Sequence, residues 1–200
     1  MKLPDHLFFT GVPGSHWSAI AQDIESITGF NTSDHSGARE YSPGTYTGHK
    51  GAYFGEGMEF SARIEYVKQH DLRSFINAPW QPGPGTKIVK SHEWAHKLPL
   101  VRHLFPEAWI MLVYRPDMTS YAWWHEAGGF NIKYPNYEAY KDSTTMLGEI
   151  TKQNKAILEY GSLNDVTWSH YSTQWLRQAF DCPTCVARKQ PADILVAIVK

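Results

Sequence analysis

Two cysteines in 200 residues exclude a disulfide framework. They stand together as Cys182-Pro183-Thr184-Cys185, half of a four-ligand zinc site at most. A structural pair is the plain reading, a metal or redox pair the sharper one. Charge of one sign is also missing: 19 Lys plus Arg face 20 Asp plus Glu, for a net charge of −1. No basic field draws such a chain onto nucleic acid, so any anion it binds must be held by a local site. Long apolar runs are absent as well. Nothing approaches the roughly 18 residues of a membrane span, and in residues 1–15 the apolar run Leu7-Phe8-Phe9 is soon interrupted by polar residues and Gly, which reads as no export signal. These absences predict a soluble, cytoplasmic chain with no membrane span and no nucleic-acid partner. No internal repeat and no low-complexity tract is found.

What is present suits one domain over residues 1–200, since a chain of this size buries roughly 70% of its unfolded surface. His6 to Val12 is a short apolar strand, ended by Gly11-Val12-Pro13-Gly14-Ser15. Trp17, Ile20, Ala21, Ile24 and Ile27 then recur at helical spacing up to Gly29. Residues 31–59 show no sustained period and read as a long loop, a candidate substrate lid. A helix is expected within 60–76, closed by the proline- and glycine-rich residues 78–85. A strand is expected at 86–90, a helix at 93–105 despite Pro99, and a fully buried strand at 109–114. Helices follow at 117–126, 137–160 and 173–180, with strands at 165–168 and 194–199. Strands alternating with helices predict an α/β three-layer sandwich around a mainly parallel sheet. Such sheets bind ligands beyond the carboxyl ends of their strands.

Three segments fall at those ends. The loop Pro13-Gly14-Ser15-His16-Trp17-Ser18 sits at a strand-to-helix turn, where helix N–H groups and the helix dipole favour an anion. It is not a Walker A loop, because His16 and Trp17 replace the second Gly and the Lys; a tight turn without ligand is its plain alternative. Lys90-Ser91-His92 leaves the second strand with a cation and an imidazole two residues apart, suited to neutralising a leaving group and taking a proton. Arg115 ends the most hydrophobic strand with a fork of donors suited to phosphate, and Ser120 follows within two helical turns. Their plain alternative is a strand-end charge and a helix cap. The aromatic group Tyr121, Trp123, Trp124 and Phe130 reads as core. His35, His49 and His103 share no metal-ligand spacing, and no metal is assigned.

Taken together, these segments resemble the sulfotransferases that use 3′-phosphoadenosine-5′-phosphosulfate (PAPS) as donor. That family's first loop is written Tyr-Pro-Lys-Ser-Gly-Thr-Thr or Gly-Val-Pro-Arg-Ser-Gly-Thr-Thr. Gly11-Val12-Pro13 and Ser15 match it, and Ser18 takes the last hydroxyl position. Lys90-Ser91-His92 and Leu98-Pro99 resemble the family's Lys-Thr/Ser-His and Leu-Pro, and Val113-Tyr114-Arg115-Pro116 resembles its Val-Arg-Asn/Asp-Pro. The likeness covers roughly residues 8–124, with a weaker echo to about Phe180. It implies a P-loop-NTPase-like architecture and sulfuryl transfer to a hydroxyl or amine on a small-molecule or glycan acceptor, with adenosine 3′,5′-bisphosphate as product and no metal. It also implies roles: residues 13–18 hold the 5′-phosphosulfate, Arg115 and Ser120 the 3′-phosphate, Lys90 supports the leaving group, and His92 is the base. Three departures stand beside it. Gly14 replaces the family's basic residue, so that either His16 supplies the charge from two places on or the 5′ site is weakened; Arg115 comes one place late, with Ala122 at the expected Ser and Ser120 as its substitute; and the Arg-Lys-Gly segment has no clear counterpart. The alternatives are a phosphoryl-transfer enzyme on the same fold and a nucleotide-binding module without turnover.

Overall fold

Leu7, Phe8, Phe9 and Thr10 are all fully buried, as in a strand covered on both faces. In the computed structural model, which describes residues 2–34, 51–54, 69–131 and 141–200, they form β1 (His6–Gly11). After it come α1 (Trp17–Glu25), α2 (Gln69–Asn77), β2 (Lys87–Lys90), α3 (Trp94–Leu104), β3 (Trp109–Tyr114) and α4 (Asp117–Glu126). The described chain closes with α5 (Ser143–Leu163), β4 (Ser169–His170), α6 (Thr173–Phe180) and β5 (Leu195–Val199).

The five strands make one mixed sheet in the order β2-β1-β3-β5-β4. β2, β1 and β3 run parallel, with Phe9 level with Lys90 and Gly11 level with Val113, so the segments leaving these three strands emerge along one edge. β5 is antiparallel to β3, and β4 to β5. The expected parallel character is therefore confined to the first three strands.

Side-chain alternation divides the core. Phe8, Val89, Ile110 and Leu112 pack with Trp94, Leu98, Met146, Ile150 and Ile157 of α3 and α5. Leu7, Phe9, Met111 and Val113 face the other way, onto Trp17, Ile20 and Ile24 of α1 and Leu176 and Phe180 of α6. α3 runs through Pro99, forgoing one backbone hydrogen bond because proline has no N–H.

Several boundaries differ from the sequence expectation. α1 ends at Glu25, before Gly29. α5 starts at Ser143 because the Asp142 carboxylate caps it, accepting from the Thr145 N–H at 2.8 Å. The strand expected at 165–168 is instead the two-residue β4: Asp165 takes a positive φ of 49°, and Val166 and Trp168 pack against the close helix surface at Gly161. Of the helix expected within 60–76, the part described is α2. Most of the long loop, and with it the lid reading, lies outside the described residues, but its segment 51–54 is core. Tyr53 bridges Lys90 in parallel, the Phe54 N–H donates to the Lys90 carbonyl at 2.8 Å, and Ala52 and Phe54 are fully buried. Cys182 and Cys185 are bonded to each other, so in this state neither thiol serves as a metal ligand. No described helix is long and apolar enough to cross a membrane.

Candidate functional site

The loop after β1 is shaped by two residues in the left-handed region, Gly14 (φ 80°) and His16 (φ 61°). Ser15 closes the turn, its N–H and Oγ donating to the Val12 carbonyl at 3.1 and 2.7 Å. The His16 carbonyl accepts from the N–H groups of Ala19 and Ile20, starting α1. His16 gives the helix no side-chain cap, and its first turn holds no acidic residue. The opening N–H groups of a helix have no intrahelical acceptor, so this uncapped end can receive an anion.

Gly14 has a steric cause. A Cβ there would lie 1.8 Å from the Ser120 carbonyl oxygen and 2.7 Å from its carbon, because the backbone of α4 rests directly on the loop. No basic side chain fits at that position. The charge expected of His16 is not supplied either: burial and the nearby Arg115 guanidinium lower its pKa to about 4, against the opposing pull of Gln190 and Asp193. Its ring stacks on Trp123 of α4 with centroids 4.2 Å apart, which gives that tryptophan a place at the loop as well as in the aromatic group. At neutral pH His16 meets a ligand as a hydrogen-bonding ring and not as a cation.

Arg115 does reach the loop. Its Nη1 donates to the Gly14 carbonyl at 3.1 Å, while its Nε faces both oxygens of Asp193 at 3.1 and 3.0 Å. Strand parity sends Tyr114 and Arg115 to opposite sides. Tyr114 points to the other face, where its ring meets Trp168, and the next residue turns back toward the loop. Ser120 is fully buried, donating to the Arg115 carbonyl at 3.1 Å, whereas Ala122 is exposed. Ser120 is thus the hydroxyl beside Arg115. Asn154 of α5 fixes the same turn, donating to the Arg115 carbonyl at 2.8 Å and to Asp117 at 2.6 Å.

On the other flank, Nδ1 of His92 bonds the Gly11 carbonyl; since a carbonyl only accepts, this nitrogen carries the proton and Nε2 the lone pair. The ring is 5% exposed, set edge-on against Trp17 at 4.8 Å and Tyr53 at 5.8 Å. Burial lowers its pKa to about 4, opposed by the bond to Gly11 and the charge of Glu149. Lys90 is not brought to the loop. Its Nζ is paired with Glu25 at 2.5 Å, both side chains buried, and Glu25 is the last residue of the helix whose first turn forms the loop.

Sequence reasoning missed Asp193, Gln190, Glu25 and the pair His96 and Glu149. Each partner lies far along the chain from the residue it touches, and no local pattern announces such a meeting. Among the described residues no group of three or more His, Cys, Asp or Glu is placed to hold a metal. No family model, curated protein or solved structure matches this chain.

Proposed function

We propose that the chain is a sulfotransferase, transferring a sulfuryl group from PAPS to a hydroxyl or amine acceptor. One observation carries this reading: Arg115 and His92, just beyond the ends of the two strands flanking β1, both bond backbone carbonyls of the segment 11–14. Three motifs separated by about a hundred residues of chain thereby meet around one loop, in the order the resemblance implies.

The donor's two anionic ends find unequal support. For the 5′ end there are backbone N–H groups at residues 16–18, with the neutral His16 ring beside them, in a loop turned by Pro13 and Gly14. For the 3′ end there is a guanidinium already holding a carboxylate, which shows that its fork accepts an oxyanion, with the Ser120 hydroxyl next to it. The residues therefore fit the nucleotide once Asp193, about a third exposed, yields its place. They do not, as arranged, put the Lys90 ammonium on a leaving group. The donor brings the activated sulfuryl group; this chain's residues bind it, orient it and exclude water around it.

One observation favours a nucleotide-binding module without turnover: Lys90 and Arg115 are both neutralised by the chain's own carboxylates. Thermal unfolding with adenosine 3′,5′-bisphosphate against ATP and magnesium, followed by consumption of labelled PAPS, separates the readings. The expected result is stabilisation by the bisphosphate, about 2.7 kcal/mol at a hundred times its Kd, together with donor consumption. Stabilisation without consumption supports the module. Stabilisation by ATP with magnesium alone supports phosphoryl transfer.

A further inference from the structure

His92 is an awkward proton acceptor. A general base works best with a pKa near the working pH, and burial leaves His92 far below it, with one nitrogen committed to the Gly11 carbonyl. Four residues on, in the first turn of α3, stands a second imidazole. The side chain of His96 is 37% exposed, and its Nε2 lies 2.8 Å from Oε1 of Glu149 on α5. The same oxygen accepts from Nε2 of Gln153 at 2.9 Å, and Gln153 is completely buried. The Glu149 side chain is four-fifths covered. Hydrogen bonding from His96 holds its carboxyl below the ordinary value in spite of burial, with smaller help from Gln153 and Lys152.

This is a base oriented by a carboxylate that is itself oriented by a third group, the arrangement that fixes an imidazole's tautomer and stabilises its protonated form. A carboxylate accepts, so Nε2 carries the proton and Nδ1 the lone pair. The group stands at the same edge of the sheet as the loop. α3 leaves β2 directly after His92, and the charge of Glu149 is felt at His92. The charged group against the imidazole is Glu149 on α5, whose carboxylate also feels Lys152; Glu93 and Lys97 are the nearest charged residues along its own segment.

We propose that His96, oriented by Glu149 and Gln153, is the residue that takes the acceptor's proton, leaving His92 to hold the loop. The inference rests on the sulfuryl-transfer reading. In the step, the acceptor hydroxyl's proton passes to Nδ1 of His96 as its oxygen bonds to sulfur. The sulfur–oxygen bond to the donor's phosphate breaks, and its electron pair stays on that phosphate oxygen. The imidazolium so formed is balanced by Glu149.

The test has two readouts. The first needs no turnover: nitrogen-15 NMR of the imidazoles in the full chain reports each tautomer. His96 is expected with its proton on Nε2, a preference kept in Glu149→Gln, whose amide oxygen still accepts, and lost in Glu149→Ala. A wild-type His96 protonated at Nδ1 overturns the proposal, because that nitrogen then has no lone pair to offer. The second is the rate of labelled PAPS consumption with 2-naphthol, methyl glucoside and water as acceptors, beside bisphosphate affinity. His96→Asn, a surface change that should leave folding intact, is expected to lower the rate by about 10²–10⁴ and affinity by less than twofold. Glu149→Gln should fall between His96→Asn and wild type. If His96→Asn keeps more than a tenth of the rate while the bisphosphate still binds, the inference fails and the sulfuryl-transfer reading survives. If wild type neither binds the bisphosphate nor consumes PAPS, the reading itself fails and takes the inference with it.

Discussion

Arg115 shows how little of a side chain's role lies in its own identity. Its guanidinium is buried between Gly14 and Asp193, so a phosphate can reach it only by competing with a carboxylate already in place. Removing that competitor in Asp193→Asn should tighten adenosine 3′,5′-bisphosphate binding about tenfold, equivalent to about 1.4 kcal/mol. Titration calorimetry measures it, and an unchanged affinity would make the pair purely structural. His16 carries the opposite lesson. A group titrating near pH 4 is neutral throughout the range above 7, where the ligand's own phosphates are fully charged. Bisphosphate affinity should therefore be flat between pH 7 and 8.5. His16→Gln, which retains a polar side chain, should leave it within about twofold; a steep fall over that range would restore the charged role expected from sequence.

At the scale of elements, the strands were readable because burial on both faces forces continuous apolar runs, as in Leu7 to Phe9 and Ile110 to Val113. α1 was readable because Trp17, Ile20 and Ile24 keep the helical period. The shift of Arg115 was visible, but its meaning was not, since parity becomes informative only once Tyr114 is seen against Trp168. Gly14 was likewise visible as a departure whose cause lies in α4, over a hundred residues on. That cause is testable. Gly14→Ala must hold a left-handed backbone, costing about 1–2 kcal/mol, and push the α4 backbone away as well. A loss of at least about 2 kcal/mol in urea unfolding is expected. Gly148→Ala is the control, because a Cβ added there, within α5, meets nothing within 4 Å. It should gain about 0.5–1 kcal/mol, and equal effects at the two positions would mean that α4 does not press on the loop.

Across the whole molecule, polar groups are drawn inward to tie distant segments together. Buried Asp23 of α1 accepts from the Tyr171 hydroxyl at 2.8 Å and the Arg188 N–H at 2.9 Å and pairs with the Arg188 guanidinium at 3.0 Å. His92 joins β2 to the loop, and His6 joins β1 to α2 through Asn77 at 3.1 Å. Desolvation lowers the pKa of His6, His16 and His92, the last two to about 4. The unfolded chain, with imidazoles near 6.5, therefore binds more protons than the native one between those values. Stability should be full above pH 6.5 and fall as pH drops toward 4, with a slope of up to about 1.4 kcal/mol per pH unit for each buried imidazole. Urea unfolding at pH 7.5, 5.5 and 4.5 measures the fall, and His92→Gln should reduce its slope by about one imidazole's share even where it lowers the plateau. Stability that peaked near pH 5 would mean these rings are charged and paired in the native chain, and the neutral roles given to His16 and His92 would be lost together.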